Sequence, residues 1–188
     1  MKNSLSKMSC LDIYLSSLSK EEYENIIEET TTNVEKIMPL ISWDIFEQNK
    51  VEREEIIEKS VDIDMVKSFA KKYHWKNNLD AIFSKYDFET IVITNNHQRI
   101  QWVNNGFTKM TGYPKKHAIN KHPSFLQGEL TSQKTKDTIR KSIKANKPFK
   151  EVIINYRKDK TPYKCEIRVF PLHSDTTTHF IALEKQVV

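Results

Sequence analysis

Apolar positions recur at two spacings along this chain, and the change from one to the other falls near residue 85. Before it they come every three or four residues, the period of an amphipathic helix. Ser19-x-x-Glu22 fits a capping box, in which each side chain satisfies a backbone donor at a helix start. Tyr23, Ile26, Ile27, Thr30, Val34, Ile37 and Met38 then form one stripe, and Pro39 ends it. A second helix is expected through Trp43 and Phe46 to Val51, Ile56 and Ile57, with Glu52, Glu54, Glu55 and Glu58 outside. A third, beginning near Asp62 or Asp64, turns Met65, Val66, Phe69 and Tyr73 inward; a fourth, Asn78 to Lys85, presents Leu79, Ile82 and Phe83. Residues 1–85 therefore read as an all-helical extension. Its stripes need a partner: the downstream domain, a second copy, or both.

After residue 85 the period becomes two. Glu89–Thr94 is β-branched, Asn95–Gln98 supplies turn chemistry, and Arg99–Val103 completes a hairpin. Asn104 is placed to cap a short helix carrying Phe107 and Met110, which Gly112 stops. Lys115–Ile119 suggests another helical turn, and Thr131 or Ser132 opens a helix through Ile139 and Ile143 to about Asn146. Three strands follow: Phe149–Arg157, Tyr163–Leu172 and His179–Glu184. In the second, Tyr163, Cys165, Ile167 and Val169 alternate with Lys164, Glu166 and Arg168. The expected fold class is α+β, a five-stranded antiparallel sheet with helices on one face, spanning 86–188 behind the helical extension.

Composition narrows the function classes. No run of about 18 apolar residues exists to span a membrane, and no apolar signal-type segment opens the chain, so a cytoplasmic location is expected. The two cysteines, Cys10 and Cys165, do not make a disulfide framework, and the six histidines lack metal-ligand spacing. Residues 1–88 carry 12 Lys+Arg against 17 Asp+Glu, whereas residues 89–188 carry 18 against 8. The basic residues are spread over several elements rather than interleaved with aromatics. That pattern argues against nucleic acid and for attraction between the two halves, within or between chains. Paired carboxylates, a nucleophile with its base and a Gly-rich phosphate loop are all missing, so no enzyme activity is expected.

Five stretches carry a resemblance: ETIVIT, IQWVNNGFTKMTGY, FLQG, INYRKDKTPY and THFIALEK. In this order they resemble a PAS domain over about Tyr86–Val187. FLQG and NYRKD-x-TPY resemble its light-sensing LOV subgroup in particular. The resemblance implies an FMN pocket between sheet and helices, lined at Pro123, Leu126, Gln127, Arg140, Asn155, Cys165 and Glu184. It also implies a reactive cysteine three residues before LQG, followed by an arginine. Here those positions are Pro123 and Ser124, and proline offers no nucleophile for a cysteinyl–flavin adduct.

Other implied roles are mixed. Gln127 matches a residue that touches the ribityl chain, Arg140 a phosphate clamp, and Asn155 the first of two asparagines at the flavin's polar edge. The second asparagine is replaced by Cys165, a far weaker hydrogen-bonding group, and a switching glutamine by Glu184. A buried Glu184 would have to be protonated, paired with a base, or turned outward. Three readings follow: a signalling module acting by protein contact or dimer change through its helical arm and sheet; a flavin sensor without the cysteine; or a binder of another small ligand in a remodelled pocket.

Overall fold

The computed structural model describes Leu18–Lys20, Glu22 and residues 43–187, with side chains from Arg53 onward in the long run. The stripe from Tyr23 to Met38, its stop at Pro39, and Cys10 lie outside the described residues. The expected capping box is present: Ser19 N–H and Oγ–H donate to Glu22 Oε2 at 3.0 and 2.8 Å, and Glu22 N–H donates to Ser19 Oγ at 3.4 Å. Contacts gather the chain into two compact units, Met1–Glu58 and Lys59–Val188. The sheet and the cavity belong to the second.

One correction concerns the helices. The two pieces expected on either side of residue 60 are one 31-residue helix, α1, Trp43–Tyr73. No glycine or proline interrupts it, and Asp62 and Asp64 continue the helix instead of starting one. Val66 is fully buried, but Met65, expected inward, is 43% exposed. The helix α2, Leu79–Lys85, starts where expected, with the Asn78 side chain accepting from Ala81 N–H.

The strands are β1 (Thr90–Asn95), β2 (Ile100–Val103), β3 (Phe149–Tyr156), β4 (Pro162–His173) and β5 (Thr177–Val187). They form one sheet in the order β2-β1-β5-β4-β3, and each neighbouring pair is antiparallel. Because strand side chains alternate, β1 sends Ile91 and Ile93 to one face and Thr90, Val92 and Thr94 to the other. All five of these residues are buried, so both faces are covered.

On the first face, Ile91, Ile93, Leu172, Ile181 and Leu183 pack with Val66, Trp75 and Leu79, and with the half-buried Phe69, Tyr73 and Phe83. The segment after residue 58 thus seals the sheet in cis. Asn77 fixes it by donating to Pro171 O at 3.0 Å and accepting from His173 N–H at 2.9 Å. Asp87 adds a bridge, taking both Lys59 and Lys185 at 2.8 Å.

The second face is covered by short helices: α3 (Asn105–Thr111), α4 (Lys115–Ala118) and α5 (Gln133–Lys144). Gly112 closes α3 at φ 73°, a left-handed position suited to glycine. The start of α3 depends on Asn104. Its Oδ1 accepts from Ile91 N–H at 3.0 Å and Phe107 N–H at 3.2 Å. Its Nδ2 donates to Asp62 at 2.8 Å and to Glu89 O at 3.2 Å. One buried amide therefore ties α1, β1 and α3 together.

Asn104→Ala removes these partners together and leaves buried donors unmet. A loss of about 2–4 kcal/mol of stability is expected, measured by urea unfolding. A loss within about 0.5 kcal/mol would contradict the role given to this amide.

Candidate functional site

Between the second sheet face and α5 lies a cavity of about 110 Å³. The sheet supplies Val92, Ile153, Ile167, Val169, Phe180 and Ala182, and α5 supplies Ile139 and Ile143, all apolar. Three buried polar side chains open onto it from the sheet, Thr94, Asn155 and Glu184. The segment that follows α4 closes one side with Pro123, Ser124, Leu126 and Gln127.

This wall is shaped locally. Pro123–Leu126 is one turn of 3-10 helix with proline at its start, where a missing N–H costs nothing. His122 caps it: Ser124 N–H donates to Nδ1 at 3.1 Å, which leaves the neutral ring's Nε2–H to donate to Gln98 Oε1 at 2.9 Å. The pair links this loop to the β1–β2 turn across the cavity rim. Burial, then the charges of Arg99 and Arg140, hold His122 below the usual histidine range, which keeps this arrangement. At the other end, Gly128 passes so close to Tyr156 that a Cβ would lie 2.5 Å from its ring.

The site residues expected from the sequence divide into two groups. Pro123, Leu126, Gln127, Asn155 and Glu184 line one cavity. Arg140 and Cys165 do not. Arg140 is exposed on α5, with Asp137 3.3 Å away, and its described influence on the site is its charge near His122. Cys165 sits behind the wall, fully buried among Met110, Ile153, Tyr163 and Ile167. Burial, then the neighbouring Glu184, pushes its thiol well above the ordinary range, so it is an unreactive core group. Sequence reasoning passed over His122, Gln98 and Phe180, which also line the cavity. His122 had a signal, since it lies inside the loop that carried the resemblance.

Glu184 resolves the three options for its side chain. It is 7% exposed and faces the cavity, so it is not turned outward. Its described hydrogen-bond neighbour is the Cys165 thiol, 3.9 Å from Oε2, and no basic group is among its partners. Burial therefore dominates and pushes the carboxyl up to about 7. Tyr163, beside Asn155 in the β3–β4 register, is raised as well, by burial first and then by Glu184. Its hydroxyl makes no hydrogen bond, although the Asn155 amide lies near enough to favour the phenolate.

The pH consequence has a definite sign. Unfolded, Glu184 ionises near about 4.3; folded, near about 7. Between those values the folded chain keeps a proton that the unfolded chain has lost, so stability falls as pH rises through that window. The loss is on the order of 3 kcal/mol and levels off above the folded value. Glu184→Gln cannot ionise, so its stability relative to the parent should rise by that amount between about pH 4.5 and pH 8. Urea unfolding at the two pH values measures it, and equal slopes in both proteins would contradict it.

Comparison with known proteins agrees with this geometry. Over 101 residues the chain is 33% identical to a blue-light photoreceptor of Listeria monocytogenes, covering 52% of this chain and 40% of the relative. Over 102 residues it is 30% identical to a blue-light-activated histidine kinase of Brucella canis, covering 52% of this chain and 21% of the relative. The chain thus spans less than half the length of these curated relatives. Among solved structures it is similar to the LOV domain of a blue-light activated histidine kinase from Erythrobacter litoralis. There the TM-score is 0.51 at 25% identity, covering 54% of this chain and 97% of that one. The family model for the PAS domain matches residues 89–185, just over half of the sequence, and with the five-stranded sheet and its helix-covered cavity the chain belongs to the PAS domain family.

Proposed function

We propose that this chain is a sensory PAS module of the LOV type that holds a flat heteroaromatic ligand, with a flavin as the candidate. It signals without a cysteinyl adduct at the loop. The observation that carries this reading is Pro123 in the cavity wall, at the position where the LOV resemblance calls for the nucleophile. Proline has no side-chain group that can bond to a ring. Cys165 does not replace it, being buried behind the wall with a protonated thiol.

The residues present suit a flavin in part. Leu126, Ile139, Ile143, Ile167 and Val169 would form an apolar slot for a planar ring once the cavity, about 110 Å³ here, widens toward the roughly 300 Å³ of ligand sites, and Gln127, Asn155 and Glu184 would meet its polar positions. When bound, a flavin supplies a ring that responds to light and to redox state. The chain's own contribution is to flank the ring, exclude water and hold a proton at Glu184.

Output by contact with another protein or by a change of dimer is the reading that the surface of residues 59–187 supports. One sheet face is covered in cis by Val66, Trp75 and Leu79. That leaves the outward side of α1, with Val61 and Met65 exposed, for such contact.

Protein purified from flavin-replete cells should be yellow, and blue light should leave no adduct-type bleaching. Pro123→Cys should then gain a light-driven, reversible loss of the blue absorption band. A colourless protein that takes up no added FMN would remove the flavin from this reading; adduct-type bleaching in the parent would overturn the role given to Pro123.

A further inference from the structure

Three buried polar side chains of the sheet open onto the cavity, Thr94, Asn155 and Glu184, and behind the last two stand Tyr163 and Cys165. Their hydrogen-bonding capacity is largely unmet. Tyr163 Oη–H has no partner, and the Glu184 carboxyl has a weak thiol at 3.9 Å. Buried polar groups in native proteins are almost always satisfied, so Asn155 and Glu184, the two of this set that face the cavity, imply a partner that enters it. At the cavity itself Asn155 offers an N–H pair, while the Cys165 S–H behind the wall is already accepted by Glu184. What Glu184 offers depends on its proton: the acid donates to a ligand, whereas the carboxylate only accepts.

The charges around Glu184 decide which form a ligand meets. Across the register it faces Thr90 on β1 and Ile167 on β4, neither of them charged. From β4, Tyr163 and Cys165 are both held protonated. Glu89, at the start of β1, is a further negative group acting on Cys165, and Glu89 Oε2 accepts from Gln186 N–H at 3.2 Å. Arg157 lies over the Tyr163 ring at 4.6 Å and donates to Met110 O and to Gln186. Lys185, next in sequence, is exposed and bound to Asp87. Among the described residues no cation is recorded as a partner of Glu184, and His122 on the opposite wall is held below the usual histidine range, so an acceptor edge of a ligand would meet repulsion from the carboxylate.

Resting on the flavin reading above, we propose that Glu184 makes the cavity a proton-gated binding site. It holds the neutral ring of a heteroaromatic ligand by donating to a carbonyl oxygen or ring nitrogen, and it releases that ligand when the carboxyl ionises. Binding then takes up a proton from solution whenever the free protein starts with Glu184 ionised. Affinity falls as pH rises through the carboxyl's range, approaching tenfold per pH unit above it. The ligand would act as a reporter of pH as well as of light or redox state.

FMN is the probe, and quenching of its fluorescence by the full chain is followed from about pH 6 to about pH 8.5, with Glu184→Gln as the comparison. The parent should weaken steeply above about pH 7, while the glutamine variant, which donates at every pH, should stay level within about twofold. Calorimetry of the parent in buffers of different ionisation heat gives an independent reading that needs no variant. Close to one proton should be taken up per FMN bound near pH 8. Binding that does not depend on pH, a slope that persists in Glu184→Gln, or no proton uptake would overturn proton gating and leave the flavin reading standing. No FMN binding at any pH in either protein would overturn both.

Discussion

The sheet is buried on both faces at β1, and this constraint governs the rest of the structure. β1 is buried at every position from Thr90 to Thr94, which no single layer of helices can achieve. Two layers are needed. The segment 59–85 provides one, packing Val66, Trp75 and Leu79 on Ile91, Ile93 and Ile181. The short helices α3 to α5 provide the other. They do so incompletely, because α5 touches the sheet mainly through Ile139 and Ile143. The gap that remains is the cavity.

The two layers are linked through a few groups. Asn104 reaches Asp62 of α1 on one side and the start of α3 on the other, and Asp87 joins Lys59 of α1 to Lys185 of β5. Lys185 follows Glu184, the acid on the cavity floor. Glu184 is thus one peptide bond away from a Lys185–Asp87–Lys59 chain of ion pairs that reaches the outer helix. The Asp87 pairs are largely exposed, so their energetic share is small and falls with salt. Asn104 is the stronger link because it is buried and fully partnered.

Much of this fold was legible in the sequence because its signals are local. The alternation from Tyr163 to Val169 is observed in the burial of β4, and Asn78, Asn104 and Ser132 cap the helices they precede. The failures came where local signals compete. Asp62 and Asp64 resemble helix starts, yet α1 runs through them for lack of a breaker. Met65 and Val66 cannot both face the sheet, since neighbours on a helix point about 100° apart. The same geometry separates Arg140 from Ile139, which turns toward the cavity. Cys165 shares a face with Ile167 but lies farther along β4, beneath Met110 and outside the wall. The His122–Gln98 contact joins residues 24 apart and has no periodic signature.

The account stands on a ligand held without a covalent bond in the cavity that Pro123 and Glu184 share. Releasing small molecules from the denatured full chain, and weighing both fractions by mass spectrometry, tests that claim directly. The account predicts an intact flavin in the released fraction, near one per chain, and a protein mass unchanged by prior blue light. A flavin that stays attached to the illuminated chain, or a released fraction with no heteroaromatic compound, would contradict it.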